Sequence, residues 1–173
     1  MEKLRVGDID LGLGVVDLDE SERGFRSQNL FTESFVSIVR AEHPILQDRI
    51  TLESYIAWPH ALITITGSPV LSIKRSSKSH VDRILDDLGV KRRVMLKLPH
   101  FLSAALIIDR TDLILTLPRR IALLLTNVAN ITIFEPPIDL GVYDYMQVWP
   151  ARCDNTPLQV WIRKTIAAQT QDI

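Results

Sequence analysis

The sequence is most informative at first through what it lacks. A single cysteine, Cys153, in 173 residues leaves no disulfide framework and no cysteine-based zinc cluster. The four histidines do not fall at metal-site spacings. Neither charge sign is in excess: 20 Lys and Arg against 21 Asp and Glu give a formal charge of −1. Nothing here suggests a basic face for nucleic acid. There is no G-x-S-x-G elbow, no Walker loop and no dinucleotide fingerprint, so no enzyme, cofactor or metal is expected. The most apolar stretch, Phe101–Ile108, is far too short to span a bilayer. Met1–Val6 carries no apolar core of signal-peptide type, and a reducing cytoplasm is the expected location. No internal repeat or low-complexity segment is present. What remains is an ordinary soluble composition, 46% apolar and 24% charged, in a chain long enough for one domain or two small lobes.

The stretch Arg93–Arg120 carries the organisation. Val94, Leu96 and Leu98 form an apolar run of strand length, ended by Pro99. Phe101–Ile108 is apolar at nearly every position and reads as a short helix buried on most sides. Leu113–Leu117 is a second strand-like run, ended by Pro118. In both places the proline suits the first position of a helix. Strand, helix, strand, helix is the pattern of a parallel sheet. The helix starts near His100 and Thr116 then lie at the carboxyl ends of strands, where open α/β sheets bind ligands. Free backbone N–H groups there attract anions; the bland alternative is a pair of ordinary turns.

The flanking segments read as follows. Leu11, Leu13 and Val15 alternate with Gly12 and Gly14 as a strand that another backbone or a ligand can approach closely. Asp17–Asn29 is polar and reads as a loop, and Phe35–Arg40 as the next strand. His43, in a turn before Pro44, reads as structural. Thr51 caps a short helix to Trp58 that turns Leu52, Tyr55 and Ile56 inward. Ala61–Thr66 is a strand. Ser68–Ser79 is a polar loop in which Lys74, Arg75 and Lys78 form a solvated or anion-binding group. Ser79 caps a helix with Val81, Ile84, Leu85 and Leu88 on one face, stopped by Gly89. Asp109 and Asp112 flank Arg110 as solvated turn carboxylates rather than an acid–base pair. Ile131 and Ile133 mark a strand, Tyr143–Trp149 another. Thr156-Pro157 opens a final helix whose core face is Leu158, Trp161, Ile162, Thr165 and Ile166.

The ordered series GDIDLGLG, FVSIVRAEHPI, ITLESY with WPHALITITG, VDRILDDLGVKRRVMLKLPHF, TDLILTLPRRIA and WIRKTI resembles the regulatory domain of LysR-type transcriptional regulators. It is most similar to the branch of nodulation and aromatic-degradation regulators. The resemblance covers nearly the whole chain, in order.

The resemblance implies an α/β fold of the type 2 periplasmic-binding-protein kind: two Rossmann-like subdomains, two crossover segments and a cleft that holds a small effector. Lobe I would comprise residues 1–59 plus 141–173, and lobe II residues 60–140. Positions matching the family's cleft wall are Gly14 and Val15, His60 and Ile63, His100, Phe101 and Leu102, and Thr116, Leu117 and Pro118. The expected partner is a small, aromatic or carboxylated effector. Homo-oligomerisation is expected too, with DNA bound only through an N-terminal winged helix that this sequence does not contain. Also missing is the family's opening strand–helix–strand of lobe I, so a cut piece or truncated product is expected, with lobe I strand edges exposed. A free-standing solute-binding protein of the same fold is the alternative; it would need an export signal.

Overall fold

The structure is a computed structural model that describes residues 1–15, 24–64 and 79–170. The polar Ser68–Ser79 stretch, with Lys74, Arg75 and Lys78, lies outside the described residues except for Ser79 itself. Packing divides the chain into two units. Among the described residues, unit 1 holds 1–15, 24–33 and 143–170, and unit 2 holds 34–64 and 79–142. Residues 34–59, which the resemblance assigns to lobe I, pack within unit 2.

In unit 2 the sheet order is β2 (Phe25–Arg40), β5 (Ile114–Pro118), β3 (Pro59–Ile63), β4 (Arg93–Leu98), with β6 (Ile131–Phe134) pairing the other side of β2. Of β2, only the part from Ser34 onward belongs to this unit. β3 runs parallel to both β4 and β5, so the two strands of the central stretch are parallel, as their pattern predicts. β2 is antiparallel to β5 and to β6.

Period-two alternation assigns the faces. Val36, Ile38, Ala61, Leu115 and Leu117 form one core with Ala104, Ala105 and Ile108 of α4 (Phe101–Ile108) and Ala122 and Leu125 of α5 (Arg119–Leu125). Val39 and Ile114 point the other way, onto Tyr55 of α2 (Leu52–Ala57). Val81 and Leu85 of α3 (His80–Asp87) bury a further apolar cluster with Leu140.

The helix ends have local causes. Thr51 and Ser54 cap α2 reciprocally. Ser79 Oγ accepts from Asp82 N at the start of α3. At its end Gly89 N donates to Asp86 O and Val90 N to Leu85 O, both at 2.9 Å. That double closure needs the left-handed backbone which Gly89 adopts at φ 74°.

In unit 1, β1 (Gly12–Val15) pairs antiparallel with β7 (Val142–Pro150). β7 in turn lies beside β2, where Phe31 stacks on Tyr145 at 5.1 Å. The helices are α1 (Glu2–Val6) and α6 (Pro157–Thr170).

Four sequence expectations need correction. Phe25–Asn29 is strand, not loop: β2 runs 16 residues, and pairing with a distant strand overrides its polar composition. Neither Pro99 nor Pro118 is the first helical residue; Pro118 ends β5 and sits at the N-cap of α5, and Pro99 precedes the cap of α4. α4 is not buried on most sides, since Leu102 and Leu106 are 56% and 50% exposed; a helix lying on a sheet hides only one stripe. α6 is rotated from the expected face: Leu158, Trp161 and Thr165 are exposed and Arg163 is buried. Arg163 is held there by lying over the Trp149 ring at 4.3 Å and donating to Cys153 O and Asp154 O at 3.0 and 2.7 Å.

Candidate functional site

Three hydroxyls from three elements meet on the α2 face of unit 2. Thr116 Oγ1 on β5 lies 2.6 Å from Tyr55 Oη on α2 and 2.8 Å from Ser37 Oγ on β2, and Ser37 and Tyr55 are 3.4 Å apart. Tyr55 and Ser37 are wholly buried, whereas Thr116 is half-buried. Alternation along β2 and β5 sends Ser37 and Thr116 to the same side. The α2 capping box fixes the turn from which Tyr55 reaches them. Each of the three hydroxyls can donate or accept within the group. Thr116 keeps a hydrogen-bonding position that this network does not use.

His60 stands beneath this cluster, its ring edge-on to Tyr55 at 4.7 Å. It is fully buried at the start of β3 rather than at the strand's carboxyl end. Its Nε2 donates to Tyr55 O at 2.9 Å, which fixes the tautomer and leaves Nδ1 unpartnered. Burial first, then the charge of Arg92, pushes its pKa down from 6.5 to about 4, against the opposing pull of the Tyr55 carbonyl and Asp82. At neutral pH His60 is therefore uncharged.

The other expected residues are spread over both units. Ile63 closes β3 beside Leu98 and packs on the α4–α5 core. His100 is exposed at the N-cap of α4 and makes no side-chain cap. Phe101 packs half-buried on the same core, and Leu102 faces outward. Leu117 is in the core, and Pro118 ends β5 opposite Phe35. Gly14 and Val15 lie on β1 of unit 1, and Gly14 takes φ 149°, a backbone that favours glycine.

The structure thus brings Thr116 and His60 to one residue, Tyr55. Sequence reasoning missed Tyr55 and Ser37 as members of a polar group. The available signal was Ser37, the lone hydroxyl inside the apolar run FVSIV. Arg119, at the first position of α5, was missed as well. Its Nε donates to Ser34 Oγ at 3.1 Å and its Nη2 pairs with Glu135, bracing the end of β5. His43, read as structural, is buried. Its Nδ1 accepts from Ile45 N in the turn, and its ring meets Trp58 edge-on at 4.6 Å.

Mainly parallel strands whose carboxyl ends feed short helices make an open α/β domain, the class that binds ligands at its strand ends. Solved structures with this fold include a probable transcriptional regulator from Pseudomonas aeruginosa, with TM-score 0.78, 28% identity and coverage of 99% of this chain and 52% of that one. The regulatory domain of MexT, a transcriptional activator of the same organism, matches with TM-score 0.74, 26% identity and coverage of 96% and 76%. The fold is accordingly that of LysR regulatory domains, the type 2 periplasmic-binding-protein-like architecture.

The model of the LysR substrate binding domain matches residues 1–171, and the chain belongs to that family. The HTH-type transcriptional regulator SyrM of Rhizobium etli is 32% identical over 167 residues, 95% of this chain and 46% of SyrM. The HTH-type transcriptional activator NahR of Pseudomonas putida is 26% identical over 164 residues, 95% of this chain and 51% of NahR. The chain spans about half the length of these curated relatives. No helix among the described residues is long and apolar enough to cross a membrane.

Proposed function

We propose that this chain is the effector-sensing part of a DNA-binding transcription regulator, and that its effector is recognised at the carboxyl end of β5. The carrying observation is the Thr116 hydroxyl, half-buried and held by the buried Tyr55 and Ser37. A polar atom oriented from behind by buried partners is what a small-molecule site uses to fix a ligand's orientation. Pro118, His100, Phe101 and Leu102, at the strand-to-helix junctions of unit 2, are proposed as its surroundings. The proposed effector is a small aromatic or carboxylated metabolite. Phe101 would offer a ring edge or face and His100 a hydrogen bond to a carboxylate. The relatives are transcription regulators, which favours this reading over a free-standing solute-binding protein and over an enzyme.

DNA contact would belong to the part of the longer regulator outside this sequence, and the cytoplasm would be its location. Self-association is proposed as well. Leu102, Leu106, Leu123 and Leu124 on α4 and α5 are each at least half exposed, and exposed apolar surface of this kind recruits partners. The test of the site is calorimetric titration of substituted benzoates into the full-length regulator and its Thr116→Val, His100→Ala and Phe101→Ala variants. Thr116→Val is expected to weaken binding about tenfold, the value of one lost hydrogen bond. Affinities unchanged in all three variants would reject the assignment.

A further inference from the structure

We propose a second small-molecule site in unit 2, at the edge of the sheet, that takes a compact organic anion. A cavity of about 320 Å³ opens between α3 and the edge strand β4. This is the lower end of ligand-pocket volumes, enough for a single ring or a short chain with a charged head. Leu62, Leu85 and Val94 give it an apolar floor, and none of the residues that line it belongs to the site proposed above.

Its charge is built from three cations. Arg92 has only 2% of its side chain exposed. Its Nε donates to Asp82 Oδ1 at 2.7 Å and its Nη2 to Ser79 Oγ at 3.1 Å, while Nη1 makes no hydrogen bond among the described residues. Lys91 and Lys97 are exposed on the rim, and neither enters an ion pair among the described residues. Two carboxylates oppose them, Asp82 and Asp86. Asp82 is already committed: burial raises its pKa, but the hydrogen bonds from Arg92 and Ser79 outweigh that and hold it below the usual carboxylate range. Asp86, half-buried in the lining, has an interaction of its own. Three positive groups against two negative ones leave the cavity cationic above an apolar floor.

That combination selects an anion with an apolar body, a carboxylate or a phosphate monoester. The head reaches the free Nη1 of Arg92, whose orientation is already set by Asp82 and Ser79, so little entropy is lost on binding. The two lysines close on the remaining oxygens, and the ring or chain covers Leu62 and Val94.

The experiment is an amide NMR titration of the 173-residue chain with phenyl phosphate and, separately, benzoate; the tighter of the two identifies the head. Saturable shifts are expected at Leu85, Arg92, Val94 and Lys97, and at least about tenfold weaker binding in the Lys91→Gln/Lys97→Gln double variant, from two charge-assisted contacts. Both lysines are exposed, so this variant keeps the fold. Arg92→Lys retains the charge but lacks the fork, and is expected to weaken binding while the amide spectrum stays dispersed. Absence of saturable shifts with either probe would overturn the proposal. So would equal response to inorganic phosphate with no effect of the lysine changes, which marks loose counterion pairing only. Shifts confined to the β5 end would overturn it while leaving the first site standing.

Discussion

Tyr55 links buried polar groups of unit 2: its hydroxyl hydrogen-bonds Thr116 and its carbonyl accepts from His60. Tyr55→Phe removes the first link and leaves Thr116 without that partner. It is expected to lower stability by about 1–2 kcal/mol, the cost of a buried hydrogen bond lost on one side, as read by urea unfolding. An unchanged midpoint would mean the three hydroxyls are not coupled. His60 predicts a pH dependence. With its pKa near 4 in the folded chain and 6.5 as a free side chain, the unfolded state binds the extra proton between those values. Stability is then fully present above pH 6.5 and falls as pH drops toward 4, by roughly 3 kcal/mol over the range. Burial also lowers the pKa of His43, which adds to the loss with the same sign. The check is the His60 ring resonance by NMR, expected to stay neutral at pH 5.5, together with urea midpoints across the range. A ring that titrates near 6.5 would contradict its burial.

The elements show where local sequence suffices and where it does not. α3 could be read directly: Ser79 caps it, Val81 and Leu85 are buried, and Gly89 ends it. Gly89→Ala is expected to cost about 1–2 kcal/mol in thermal or urea unfolding. No atom lies within 4 Å of the added Cβ, so the cost is that of holding an L-residue at positive φ. β2 was only half legible. Its apolar end declares itself, but Phe25–Asn29 becomes strand through pairing with β7, more than a hundred residues away. α6 was misread for the same reason. Helical spacing gives a stripe, but the Trp149 ring and the carbonyls of Cys153 and Asp154 decide that Arg163 turns inward. Arg163→Ala should therefore destabilise unit 1 by about 3 kcal/mol, since it empties a buried site and strips two carbonyls of their donor. A thermal midpoint unaffected by this change would place Arg163 outside the structural core. The hydroxyl cluster was illegible because periodicity tells which face a residue takes, not which faces meet.

At the scale of the whole chain, the family is shown by the match of residues 1–171 to the LysR substrate binding domain, and the ordered sequence blocks already pointed to it. The proposed self-association is tested at this scale: light scattering is expected to give a dimer or larger species, and a stable monomer at micromolar concentration would count against it. The β5 end, around Thr116, is the proposed place of effector recognition. Its most direct test is an amide NMR titration of this chain with substituted benzoates, mapped residue by residue. Saturable shifts are expected at Thr116 and Leu117 together with Phe101 and Leu102, lost in Thr116→Val. A ligand that binds the chain while leaving those four amides unmoved would contradict it.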